Sequence, residues 1–156
     1  MKQKQLNRIL KLHELWLKGD EKGAQAKFLC DDLENADLYG AHLQKADFTG
    51  SRLYSADLRG ADLQHANLQD ADLHDASLYS ADLRGANLQH ANLQNADLRD
   101  ANLYSADLRG ADLQDANLRG ADLRYANLQG ANLQDADLQN ASLCSADLDN
   151  AEEINQ

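Results

Sequence analysis

The stretch Ala56-Asp57-Leu58-Arg59-Gly60-Ala61-Asp62-Leu63-Gln64-His65-Ala66-Asn67-Leu68-Gln69-Asp70 contains one five-residue unit three times: alanine, Asp or Asn, leucine and two variable residues. The unit continues in both directions without a slip. Leucine or phenylalanine occupies every fifth position from Phe28 to Leu148, so residues 26–150 form 25 consecutive units. Alanine stands two places before the central residue in every unit except two, where Asp31 and Ser51 replace it.

A period of five suits neither regular element. On an α-helix five residues advance about 500°, so the leucines would drift around the axis. On a flat strand an odd step sends successive leucines to opposite faces. Alanine and leucine, two apart, share one face of a short extended segment. A turn after each leucine then brings the next pair inward. Seven of the nine glycines lie two places after the central residue (Gly40, Gly50, Gly60, Gly85, Gly110, Gly120 and Gly130), and most other units have Asn, Asp or Ser there. These residues fit turns with positive φ or a capping side chain. Proline is absent, so every backbone N–H is free to join a ladder.

With this motif the chain resembles the pentapeptide repeat proteins over about 80% of its length. The resemblance implies an all-β solenoid: a right-handed quadrilateral parallel β-helix with four units per coil, hence about six coils. Phe28, Leu33, Leu38, Leu43, Phe48, Leu53, Leu58 and Leu63 would begin its core together with the alanines two places before them, the other three residues of each unit facing outward. At about 4.8 Å per coil the prism would stand roughly 30 Å tall.

Three segments are expected: an N-terminal capping helix and connector (1–25), the array (26–150) and a short tail (151–156). Residues 5–18 carry apolar groups at helical spacing, Leu6, Ile9, Leu10 and Trp16 among them, and Gly19 suits a C-terminal cap. The helix reads as a lid over the first coil, since a solenoid must cover its terminal core. His13 and Trp16 read as packing residues. The far end lacks such a lid. Only Ile154 is available to shield Leu133, Leu138, Leu143 and Leu148, so either the tail folds back or two copies pair as a homodimer through the C-terminal coil.

The net charge of −11 is uneven: residues 1–25 hold six bases against three acids, the array nine against 21. Such an array is a poor direct binder of nucleic acid, and no segment suits a membrane span. A cytoplasmic location is expected. Cys30 and Cys144 lie far apart along a solenoid and read as free thiols.

Residues 20 apart stack on one wall. The wall through Leu33, Leu53, Leu73, Leu93, Leu113 and Leu133 displays Asp32, Glu34, Asp72, Asp75, Asp112, Asp115 and Asp135 against Arg52 alone. The Phe28 wall is also acidic; the Leu38 and Leu43 walls are mixed. On the Leu38 wall, Tyr39, Arg59, Tyr79, Arg99 and Arg119 read as an aromatic–cation ladder. Asp62 and Asp82 stack without a calcium-repeat motif, and His42, His65, His74 and His90 do not converge. No metal, cofactor or catalytic constellation is expected.

The most direct reading is a non-enzymatic, rigid acidic scaffold for a protein partner. The alternative carried by the resemblance is a DNA mimic that binds the type II topoisomerases DNA gyrase and topoisomerase IV and confers quinolone resistance. Twelve net charges over roughly 30 Å is about 0.4 per Å, against about 0.6 for duplex DNA. The projecting loop and C-terminal dimerisation helix common in topoisomerase-directed members are missing, and Asp before leucine comes with the architecture. A purely structural repeat is the third reading.

Overall fold

Each unit closes on itself before it meets any other. In the computed structural model, which describes residues 1–152, the N–H of each following alanine donates to the carbonyl of the central leucine, as Ala61 does to Leu58 at 3.1 Å and Ala86 to Leu83 at 3.0 Å. The residue between those two that precedes the alanine has positive φ in every unit, glycine or not. A hydrogen-bonded turn left-handed at its third residue carries the type II signature. Asn and Asp tolerate that region, whereas Lys45 (φ 61°) and Tyr125 (φ 60°) are held there against a cost of about 1–2 kcal/mol each. The exposed Lys45 is therefore a site where Lys45→Gly should raise stability by about 0.5–1 kcal/mol, read as a higher thermal midpoint.

After four such turns the chain lies over its own start. Twenty-two parallel bridges join residues 20 apart, from Lys27–Asp47 to Asn132–Glu152. Each repeat of the pattern uses three inter-coil bonds, as in Leu53 N–H to Asp72 O, Ser55 N–H to His74 O and Asp72 N–H to Ser51 O. Only Ala-x-Leu separates consecutive turns, so each wall contributes one bridged residue per coil. The solenoid is a stack of such bridges and contains no longer strand among the described residues.

The central residues from Phe28 to Leu133 are all buried, the expected core from Phe28 to Leu63 among them, with Phe28 and Phe48 stacked at 4.8 Å. Of the two alanine replacements, Ser51 is fully buried with its hydroxyl unpartnered, and Asp31 is half-buried.

The lid is helix α1, Gln3–Leu17, which starts two residues earlier than the spacing suggested. Leu6 is buried, and Ile9 and Leu10 pack against the core. Trp16 is only half-buried and stacks on His13 at 5.4 Å. Gly19 (φ 75°) closes the helix: its N–H reaches Trp16 O and the N–H of Asp20 reaches Leu15 O, the two bonds of a Schellman cap. The connector then presses on the helix at Gly23, where any Cβ would collide with the backbone of Leu15 and Trp16.

The early start has a physical reason. The first coil has no coil beneath it, so its outward backbone groups need partners. The Gln3 amide, a copy of a peptide group, donates to Asp37 O at 3.0 Å and accepts Asp37 N–H at 3.4 Å. The Met1 ammonium donates to Asp32 O.

At the other end Leu138, Leu143 and Leu148 are only partly buried. Leu133 departs from expectation and is fully covered. Its N–H donates to Glu152 O and Asn132 bridges Glu152, so the chain has already begun another turn above it. Ile154 lies outside the described residues.

Candidate functional site

The Asp or Asn before most central leucines does local work. Its Oδ1 accepts the N–H two residues on, whether it is aspartate (Asp112 from Gln114, 3.2 Å) or asparagine (Asn92 from Gln94, 3.2 Å). The cap uses that oxygen and no charge, and the turn also closes after His42 and Arg52, which have no such oxygen. Up the Leu33 wall the two types alternate as Asp72, Asn92, Asp112 and Asn132. The Asn92 amide donates to Asp72 at 3.1 Å and the Asn132 amide to Asp112 at 3.0 Å. Of the 22 bridges, 11 set Asp against Asn and only Asp37–Asp57 and Asp62–Asp82 set Asp against Asp, so carboxylates are largely kept off one another.

A second local device neutralises charge. Where a unit reads Asp-Leu-Arg, the arginine folds back onto its own aspartate: Arg59–Asp57 at 2.5 Å, Arg84–Asp82 at 2.5 Å, Arg99–Asp97 at 2.7 Å, Arg109–Asp107 at 2.6 Å and Arg124–Asp122 at 2.7 Å. Nε bonds the other carboxylate oxygen, making each pair bidentate. The guanidinium bonds hold the Asp57, Asp97, Asp107 and Asp122 carboxyls below their ordinary value. At Asp82 burial pushes upward, and the bonds and charge of Arg84 outweigh it. Because these values are depressed on folding, the pairs support the fold above the usual carboxylate range and lose that contribution as pH falls through it. The triplet is legible in sequence. None of the five lies on the Leu33 wall.

The seven candidate carboxylates of that wall are consequently in three situations. Asp32 and Glu34 share Arg52, at 3.6 and 3.3 Å. Asp72 and Asp112 are half-buried rungs of the hydrogen-bonded stack, Asp112 also receiving the Gln94 amide. Asp75, Asp115 and Asp135 occupy the exposed corner, where Asp75 lies 3.4 Å from His74 Nε2. Asp115 and Asp135 form no ion pair among the described residues and stand on adjacent coils, about 4.8 Å apart in rise.

The Tyr/Arg ladder of the Leu38 wall resolves into separate pairs, Arg59 over Tyr39 and Arg99 over Tyr79, each at 5.5 Å. A third pair, Arg124 over Tyr104, lies on the neighbouring wall, with Tyr125 edge-on to Tyr104. A concavity of about 520 Å³ is an open trough between Arg59, Tyr79 and Arg99. The histidines are dispersed: His74 stacks on Tyr54, while His65 and His90 lie across Gly85 and Gly110, where any Cβ would meet the ring at 2.6 Å. Cys30 and Cys144 are free and exposed.

Stacked five-residue units with buried Ala and Leu define a pentapeptide solenoid. The chain belongs to the pentapeptide repeat family, whose model matches in eight copies over residues 25–53, 32–70, 56–95, 81–120 and 121–152. It is similar to HetL, a pentapeptide repeat protein of the cyanobacterium Nostoc involved in heterocyst differentiation regulation, at 39% identity and a TM-score of 0.63 over 83% of this chain and 69% of that one. A pentapeptide repeat protein of the Arabidopsis thaliana thylakoid lumen shares 36% identity, TM-score 0.61, over 62% and 68% of the two chains. QnrB1, a plasmid-mediated fluoroquinolone resistance protein, shares the fold (TM-score 0.58, 22% identity, 83% of this chain and 68% of that one). No curated protein matches.

Proposed function

We propose that the protein is a non-enzymatic, rigid cytoplasmic scaffold whose Leu33 wall binds a basic surface of a protein partner. One observation carries this reading: the corner carboxylates Asp75, Asp115 and Asp135 are exposed on a wall without a single Asp-Leu-Arg pair. A one-signed strip on a stiff support steers and orients an oppositely charged partner. The combined variant Asp75→Asn, Asp115→Asn, Asp135→Asn should fold normally, since Asn35, Asn95 and Asn140 already adopt the same corner geometry. Its affinity for a partner purified from the native host should fall by about tenfold and lose most of its salt dependence. Equal affinity would favour a purely structural repeat.

The second reading is a mimic of DNA that binds DNA gyrase or topoisomerase IV. The acidity of residues 26–150 and the fold shared with QnrB1 support it. Protection of supercoiling activity from a quinolone would sustain it; no effect at micromolar protein would remove it. The right hand of the coil and a homodimer through the last coil belong to the same proposal. The half-exposed Leu138, Leu143 and Leu148 favour the dimer, and a strict monomer in sedimentation at high concentration would exclude it.

A further inference from the structure

His13 is the one titratable side chain that is fully buried among the described residues, and it sits where α1 meets the array. Its Nδ1 accepts the N–H of Ala26, the first residue of the first unit, at 3.0 Å. That bond requires an unprotonated Nδ1, so the ring is neutral with its proton on Nε2. One face stacks on Trp16, the rings 14° from parallel, and Nε2 has no hydrogen-bond partner.

The charged and titratable groups around it all point to solvent. They are Glu14 and Lys18 on α1, Asp20, Glu21 and Lys22 in the connector, and Lys27, His42 and Lys45 on the first coil. None acts on the ring. Burial pushes the imidazolium below its ordinary value, and the Gln44 carbonyl opposes this more weakly.

We propose that His13 is a pH-sensitive latch: uptake of one solvent proton on Nδ1 releases the cap helix from the first coil. The proton occupies the lone pair that holds Ala26 N–H, so two N–H groups then face each other. The Gln44 carbonyl offsets only part of the cost of a cation buried in this seam, and release lets both groups hydrate. The sign follows directly. Docking requires the neutral ring, so it is complete above about pH 6.5 and weakens as pH falls below it. Release uncovers the core at Phe28 and Leu38 together with the ladder groups of Asp32 and Asp37 that Met1 and Gln3 had covered. The coils above contain no buried histidine and stay closed.

The test uses the full chain. Hydrogen-exchange protection factors, corrected for intrinsic rates, are measured between pH 7.5 and 5 alongside the emission of Trp16, the single tryptophan. Protection of the α1 and Ala26 amides should fall by up to about tenfold per pH unit below pH 6.5, that of Leu83 remaining constant. His13→Asn keeps an acceptor oxygen near the Nδ1 position and cannot titrate there, so its cap should open independently of pH. Constant protection down to pH 5 in the native protein, or an unchanged pH response in His13→Asn, overturns the latch. Should that variant fail to dock its cap, the native protein still decides. The NMR titration of the His13 ring must share its midpoint with cap opening, and a mismatch overturns the proposal.

Discussion

Leu93→Ala should destabilise the protein by about 3–5 kcal/mol, read as a lower urea midpoint, whereas Leu143→Ala should cost about 1 kcal/mol or less. Leu93 is fully buried between Leu73 and Leu113, in the middle of the stack. Its truncation removes transfer energy and leaves a cavity, because the coils above and below are fixed by their own ladders and cannot collapse into it. Since each coil touches only its neighbours, a hole there also weakens the coupling between the two halves. The expected signature is a broader transition as well as an earlier one. Leu143 lies in the last described coil and is partly solvated, so both terms shrink. Equal costs at the two positions would contradict a core closed around Leu93 and partly solvated at Leu143.

Asn92→Asp should be the most damaging single change on the surface, costing about 1–3 kcal/mol at neutral pH and low salt. It converts Asp72–Asn92–Asp112 into three carboxylates on successive coils and removes the amide that now donates to Asp72. Two charges about 4.8 Å apart repel by about 1–3 kcal/mol over the range of dielectric relevant to a surface. The new carboxyl would titrate above its unfolded value, so the penalty is present at neutral pH and is relieved as the pH falls through that raised value. Much of it should also vanish in 1 M salt, where the screening length is about 3 Å. Denaturation curves at two salt concentrations and at pH 7 and 4 check both dependences. A loss that ignores salt and pH would mean that the lost amide bond, not charge, dominates.

Asn92 shows why the alternation of Asp and Asn has no visible meaning along the chain. Each unit read alone explains an Asx residue before leucine, because its oxygen caps a turn two residues away. The choice between acid and amide is made against the residue 20 places on, which becomes a neighbour only when the coil has closed. The Asp-Leu-Arg pairs are the opposite case. Both partners belong to one unit and point the same way, so the pairing is legible in three letters, and the lack of such triplets on the Leu33 wall could have been read there too.

The cap divides in the same manner. A helix, its glycine terminus and its apolar face follow from local periodicity and from the left-handed residue that closes it. The tasks of Gln3 and His13 do not, because both serve backbone groups of a coil whose lower edge exists only after the array has wound. The cover over Leu133 is hidden from the sequence for the same reason: it is supplied by Glu152, 20 residues from Asn132 along the chain.

The sequence by itself determined the period, the inward residues from Phe28 onward and the corner at the end of each unit. All three arise from interactions spanning five residues or fewer, and they repeat without error. The tertiary structure alone decided which carboxylates stack on a neighbouring coil and which line the exposed Asp75–Asp115–Asp135 corner. Those outcomes depend on contacts between coils, across 20 residues of chain, where charge and hydrogen bonding act through space.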